Sequence, residues 1–295
     1  MPNRQEHLQE VRRFLQEHLS ISDWSFSLPP GSGMESYLAR GNGQSYFVKV
    51  GVQVERYVAM AEIGITPPVL VHGQLKSGLS VIVQPFIAGQ TPSRLDYRNQ
   101  MTEVAGLTRK MHHHLRIKRV LPAVSSIFYK DAGLIALNRL RQKWEHYKLQ
   151  VPMDADFVDN SLDYLAQQVN KFSGEGLVAS HGDICNANWL FASDGKIYVL
   201  DFESMSMDDP ALDMGALLWW YYPPELRRRF LDILRYPHND EFKFRMQVRM
   251  AMHCLNIILP RVNSFDVFDP GRFSKSLRDF KAVLDGKENP EGYGG

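Results

Sequence analysis

His181-Gly182-Asp183-Ile184-Cys185-Asn186-Ala187-Asn188-Trp189-Leu190 sets a histidine, an aspartate and two asparagines directly before an apolar run. Shortly downstream, Lys196-Ile197-Tyr198-Val199-Leu200-Asp201-Phe202-Glu203 reads as a strand that ends on another aspartate. Polar groups crowded against apolar segments are costly to bury unless something bonds them. The two segments together therefore call for a ligand, and its chemistry can be read from the residue types.

His181, Asp183 and Asn188 fit the spacing H-x-D-x-x-x-x-N of a kinase catalytic loop. Asp201-Phe202-Glu203 follows the strand at the place where kinases carry a metal-binding aspartate. Moving a γ-phosphoryl group requires a carboxylate for the acceptor's proton and oxygen ligands for Mg²⁺. One carboxylate facing the acceptor, with one amide and one carboxylate facing the metal, supplies them. Three fixed positions alone arise by chance in roughly one chain in a hundred of this length, so Asp201 after its strand is what separates the set from coincidence. Asn186 is an alternative metal ligand by residue type, but the spacing favours Asn188.

The 295 residues suffice for one large domain or two modest ones. A net charge of +1 gives no field that would gather nucleic acid or an anionic membrane. Cys185 and Cys254 form neither a metal-ligand spacing nor a disulfide framework. The N-terminus has no apolar signal-peptide core, and no run of about eighteen apolar residues occurs. The expectation is a cytoplasmic protein with no nucleic-acid or membrane partner.

Leu8, Val11, Leu15 and Leu19 recur at helical spacing, which predicts an amphipathic helix over residues 5–19. The period then falls to two. Trp24, Phe26 and Leu28 alternate with serines, and strands are predicted over 36–40 and 45–50, joined through Gly41-Asn42-Gly43. A short helix over about 53–63 precedes strands near 69–71 and 79–84. Beyond residue 88 the pattern is helical, over about 131–148, 156–171, 211–222, 224–234 and 241–258, with a disordered tail over 286–295. The fold class is α+β, with an antiparallel β-sheet N-lobe over 1–87 and a mainly helical C-lobe over 88–295.

Over about residues 28–222 the chain resembles the aminoglycoside phosphotransferase and choline kinase family, small-molecule kinases with a protein-kinase-like two-lobe fold. The resemblance is carried by His181-Gly182-Asp183 through Asn188, by Val199-Leu200-Asp201-Phe202-Glu203, and by Asp208-Asp209-Pro210-Ala211-Leu212-Asp213. It implies ATP and Mg²⁺ as cofactors and a small-molecule hydroxyl as acceptor. Asp183 would be the catalytic base, Asn188 and Asp201 the metal ligands, and Asp213 and His181 supports of the loop. The chain departs from the family at Cys185-Asn186-Ala187, which bears on the loop's rigidity.

On the nucleotide side, Gly31, Ser32 and Gly33 resemble the phosphate-covering loop, where glycine lets backbone N–H groups approach phosphate. Lys49 matches the strand lysine of the α- and β-phosphates, and its expected partner is a glutamate on the next helix. Glu55 and Glu62 share one face of that helix, and Glu55 is the choice because Glu62 adjoins the helix end. Gln84 to Phe86 and Ile87 would line adenine through the main chain.

His112-His113-His114 cannot converge on one ion, because successive helical side chains diverge. Trp219-Trp220-Tyr221-Tyr222 suits a cationic acceptor, choline-like or aminoglycoside-like, through cation–π contacts, with Glu203 and Asp209 adding negative charge. Trp219, Trp220 and Tyr222 are the aromatic candidates, although four adjacent helical positions cannot all face one pocket, and some belong to the core. Two other classes stand beside the small-molecule kinase: a catalytically silent nucleotide-binding module, and a protein kinase. The second lacks an Ala-Pro-Glu segment, and Asp201 to Asp213 leaves little room for an activation loop.

Overall fold

A computed structural model describes residues 4–28, 36–260 and 268–287. The first half of the chain forms helix α1 (Arg4–Leu19), strands β1 (Ser25–Ser27), β2 (Ser36–Gly41) and β3 (Gln44–Val50), helix α2 (Val54–Glu62), and strands β4 (Val71–Gln74), β5 (Ser80–Pro85) and β6 (Gly89–Gln90). Helices α3 (Arg94–Asn99), α4 (Met101–His113), α5 (Leu115–Val120), α6 (Tyr129–Tyr147) and α7 (Pro152–Val169) follow, then strands β7 (Val178–Ser180), β8 (Trp189–Ala192), β9 (Ile197–Val199) and β10 (Ser206–Asp208). Helices α8 (Ala211–Tyr221), α9 (Pro224–Leu234), α10 (Asp240–Ile258) and α11 (Pro270–Leu284) complete it. None of the described helices is long and apolar enough to cross a membrane.

Two compact units result, Met1–Thr91 with Ala187–Glu203, and Pro92–Asn186 with Ser204–Gly295. In the first, an antiparallel sheet runs β1-β2-β3-β5-β4. Asn42 and Gly43 both take positive φ, 51° and 73°, at the β2–β3 turn, the requirement of a two-residue primed hairpin. Tyr46, Val48 and Val50 of β3 face a core with Val11, Phe14 and Leu15 of α1 and Trp24. Alternation then turns Phe47 and Lys49 to the opposite face. The segment from 187 to 203 joins this unit because β8 pairs with both β6 and β9. Asn188 and Asp201 thus leave the sequence neighbourhood of the helices and belong to the unit that carries Lys49.

In the second unit, β7 and β10 form an antiparallel pair among the helices. Helix α10 is buried on much of its circumference and packs against α8 and α11. Helix α11 lies outside the sequence-predicted set, yet its start is locally encoded. Asp269 accepts from the backbone of Gly271 and Arg272, with Pro270 following it. Part of the tail expected to be disordered, 288–295, lies outside the described residues.

Two arginines one helical turn apart on α10 neutralise adjacent aspartates. Arg249 Nη2 lies 2.6 Å from Asp208 Oδ2, and Arg245 Nε 2.8 Å from Asp209 Oδ2. Asp209 Oδ1 also accepts from Ala211 N at 2.9 Å, at the start of α8. Arg245 and Asp209 are both buried, so removing one strands the other's charge away from water. Arg245→Met is expected to cost about 3–5 kcal/mol at neutral pH, measured by urea unfolding. Asp209→Asn combined with it should lose less than the sum of the single variants.

Candidate active site

In the first unit, β3 aims Lys49 at the segment after β9. Lys49 Nζ lies 2.7 Å from Asp201 Oδ1, although 152 residues separate them. It also donates to the Tyr57 hydroxyl at 2.7 Å. Asp201 has φ +61°, a left-handed conformation unusual for a residue with a side chain. The following residues are held from both sides. Phe202 is buried with its ring edge-on to Tyr57 at 5.1 Å, and Arg56 Nη1 donates to the carbonyls of Phe202 and Glu203 at 2.8 and 3.0 Å. Leu200 N donates to Asn188 O at 2.8 Å, which ties the two proposed metal-ligand segments together.

The expected Lys49–Glu55 pair is absent, and this corrects the sequence reading. Glu55 and Glu62 do share a helical face, but it is the exposed one. Glu55 lies in the first turn of α2, where a carboxylate is favoured by the helix dipole. The buried face instead carries Tyr57, Ala59 and Met60, so the residue that meets Lys49 is a tyrosine. Burial pushes the Tyr57 phenol further up, aided by the nearby charges of Asp201 and Glu203, so it stays neutral. The signal was available in the helical period: Tyr57 belongs to the apolar stripe and Glu55 does not.

Of the adenine candidates, Gln84 is buried and its amide nitrogen donates to Pro67 O at 2.6 Å. Phe86 N donates to Ser45 O at 2.9 Å, while the Phe86 side chain is exposed. The first bond ties β5 to the segment before β4, and the second extends the β3–β5 pairing. Gly31, Ser32 and Gly33 lie outside the described residues.

In the second unit, Asp213 organises the loop that bears Asp183. Its carboxylate is 1% exposed and accepts from His181 N at 2.7 Å, Gly182 N at 3.0 Å and His112 Nε2 at 2.9 Å. His112 Nδ1 then takes the Tyr236 hydroxyl at 2.7 Å, an arrangement that satisfies both ring nitrogens. Burial alone would push the Asp213 carboxyl up. The hydrogen bond from His112, the electrostatic pull of the His112 and His181 rings and the Gly182 N–H outweigh it and hold the group at about 2. Gly182 has φ +77°, and a Cβ there would sit 2.7 Å from the Ser204 carbonyl oxygen, so the sharp turn requires glycine. Asp183 N donates to His181 Nδ1 at 3.3 Å.

The unusual Asn186 finds its own partner. Its N–H donates to the Tyr221 hydroxyl at 2.8 Å, and Tyr221 stacks on Tyr97 at 4.5 Å. Burial pushes the Tyr221 phenol up to about 12. Sequence reasoning treated Tyr221 only as part of an aromatic run, whereas its hydroxyl holds the loop. Within that run Trp219 and Tyr222 are buried, and the Tyr222 hydroxyl donates to Tyr97 O at 3.1 Å. Trp220 is half-buried, 5.5 Å from the His253 ring. Trp219, Tyr222 and the Arg245-paired Asp209 are thus core residues rather than pocket walls, because successive helical positions point about 100° apart.

The oxygen donors suit a hard cation. Asp201 is 40% exposed and therefore accessible, and Asn188 adds an amide oxygen within the same unit. No three His, Cys, Asp or Glu side chains converge among the described residues. Such a sparse set fits Mg²⁺, which takes one or two protein ligands and fills its sphere with phosphate oxygens and water.

The depressed Asp213 carboxyl links the loop to pH. Its folded value near 2 lies below the unfolded value of about 3.9, so the stability it contributes is present above about pH 4 and lost as pH falls toward 2. Asp213→Asn is expected to destabilise the chain by about 2–3 kcal/mol at pH 7. The gap from the unsubstituted protein should close progressively below pH 4 in urea unfolding followed across pH.

The solved structures similar to this chain share its fold. Choline kinase LicA from Streptococcus pneumoniae matches at a TM-score of 0.69 with 16% identity, over 95% of this chain and 99% of that one. The AMP-bound spectinomycin phosphotransferase APH(9)-Ia matches at 0.62 with 14% identity, over 94% and 96%. The GDP and kanamycin complex of APH(2")-IIia matches at 0.64 with 13% identity, over 94% and 98%. The fold is the two-lobe, kinase-like one, with an antiparallel sheet in the first unit and a helical second. A sequence model of the phosphotransferase enzyme family matches residues 32–245, most of the chain, including Lys49, Asp183, Asn188, Asp201 and Asp213, and the chain belongs to that family.

Proposed function

We propose that the protein is an ATP- and Mg²⁺-dependent kinase that transfers the γ-phosphoryl group to a hydroxyl of a small molecule. The observation that carries this reading is the 2.7 Å contact between Lys49 and Asp201. It joins a strand lysine suited to the α- and β-phosphates to the carboxylate suited to the metal. Membership of the phosphotransferase family supplies the reaction class. Solved neighbours in complex with AMP and GDP support a nucleotide as donor.

In this reading Asn188 and Asp201 hold Mg²⁺, which when bound neutralises charge on the transferring phosphate oxygens. Lys49 orients the nucleotide phosphates. Gly31, Ser32 and Gly33 cover them, and the main chain around Gln84 and Phe86 holds the base. Asp183 accepts the proton of the acceptor hydroxyl as that oxygen bonds to the γ-phosphorus and the bond to departing ADP breaks. Asp213 and His181 keep the loop's backbone in the conformation that presents Asp183. The rate gain comes from positioning and fixed charge.

The named neighbours are a choline kinase, a spectinomycin phosphotransferase and a kanamycin complex, and they support a small amine-bearing acceptor. Trp220, half-buried on the same helix as the loop-holding Tyr221, is the aromatic surface that suits a cation. We assign the protein to the cytoplasm on its family chemistry, with no nucleic-acid partner.

ADP release from Mg-ATP against choline, ethanolamine, thiamine, methylthioribose, homoserine and aminoglycosides tests the reading. One acceptor should stimulate turnover, and Asp183→Asn should lower that stimulated rate by at least about 100-fold while nucleotide still binds. Near-full turnover in the variant would remove Asp183 as the base.

A further inference from the structure

Helix α8 meets the Asp183 loop at two places, both within the second unit. Asp213, in its first turn, takes the N–H groups of His181 and Gly182 at 2.7 and 3.0 Å. Tyr221, its last residue and just over two turns further along, takes the N–H of Asn186 at 2.8 Å. The same hydroxyl donates to Asn186 Oδ1 at 3.4 Å, so one phenol engages both the main chain and the side chain of that residue. Asp183 lies between the two anchors, next to a buried Ile184.

The Tyr221 ring is itself held in place. It stacks on Tyr97 of α3 with centroids 4.5 Å and planes 27° apart, and Tyr97 O accepts from the Tyr222 hydroxyl at 3.1 Å. Arg94 Nε, also on α3, donates to the Trp220 carbonyl at 2.8 Å. Helix α3 is fixed at its start by a reciprocal cap between Ser93 and Asp96. A short capped helix thus closes the C-terminal end of α8 and fixes the ring whose hydroxyl reaches the loop. Burial keeps that phenol neutral, so it stays able to accept and to donate.

We propose that Tyr221 is a positioning residue for phosphoryl transfer, the second of two anchors by which α8 sets where Asp183 stands. The proposal rests on the kinase reading above. Asp213 fixes the chain entering Asp183 and Tyr221 fixes the chain leaving it, so the carboxylate is presented by a segment tied to one helix on both sides. A base must come within about 2.6–3.2 Å of the group whose proton it takes, and a misplacement of about 1 Å can cost about 100-fold in rate. A loop tethered only at Asp213 lacks the second restraint. The same contact gives Asn186 a purpose within the loop, since its Oδ1 accepts from Tyr221. That accounts for an asparagine there without a role at the metal.

The test compares Tyr221→Phe with the unsubstituted full chain, a substitution that keeps the ring on Tyr97 and removes only the hydroxyl. Amide hydrogen exchange over residues 181–188, followed by mass spectrometry on the protein alone, should quicken by about 10-fold, the scale of one lost hydrogen bond, with exchange in α8 unchanged. ADP release from Mg-ATP, with whichever acceptor of the panel above stimulates it most, should fall by about 10- to 100-fold in kcat while the KM for Mg-ATP stays put. In an Asp183→Asn background the same substitution should cost less than about twofold more, because positioning acts only through that carboxylate. Three results would overturn the role: loop exchange within twofold of the unsubstituted protein, kcat within twofold, or an equal kcat loss in the Asp183→Asn background. An unsubstituted chain whose loop exchanges slowly but which releases no ADP with any acceptor would overturn the kinase reading, and the positioning role with it. The exchange measurement needs no turnover, so the two failures are read apart.

Discussion

Asp213 is a carboxylate removed from water, and such a charge is tolerated only when its lone pairs are satisfied. The donors that satisfy it are the backbone N–H groups of His181 and Gly182 and the ring of His112. Two consecutive N–H groups can turn to one carboxylate only if the chain bends sharply there, and Gly182 supplies the positive φ. The conformation that presents Asp183 is thus set by the need to solvate a buried charge with protein. His112 is in turn fixed by Tyr236, so helices far apart in sequence share one hydrogen-bond network.

The first unit solves a related problem by a different route. Lys49 and Asp201 are each accessible enough to exchange partners, at 19% and 40% exposure, and their attraction is softened by water. Rigidity comes from the surroundings: a β3 strand locked in mid-sheet, a buried Phe202, and the Arg56 and Tyr57 contacts from α2. A strained φ at Asp201 is sustainable because its neighbours are held on both sides. Charges can remain available to ligands while their backbones are fixed.

The sequence readings that failed did so for one reason. Glu55 was chosen by charge and distance along the chain, and the acceptor aromatics by residue type. Neither criterion says which way a helical face points. Helix α2 buries Tyr57, Ala59 and Met60 and exposes both glutamates, while α8 buries Trp219 and leaves Trp220 half-covered. Packing apolar area decides these rotations, since burying a tyrosine or tryptophan is worth roughly 2–3 kcal/mol and exposing a glutamate avoids a larger cost. The start of α11 was legible in Asp269-Pro270, whose cap and proline are local signals.

The amino-acid sequence by itself determined the α+β order of elements, the hairpin at Asn42-Gly43 and the donor types at Asp183, Asn188, Asp201 and Asp213, because period, turn chemistry and ligand chemistry are properties of short segments. Tertiary structure alone decided that residues 187–203 pack with the sheet of Lys49, that Tyr57 rather than Glu55 meets that lysine, and that Asp209 is neutralised by Arg245. These are contacts between groups distant along the chain. They are settled by which surfaces bury one another and which charges must then be paired, and no local pattern carries that information.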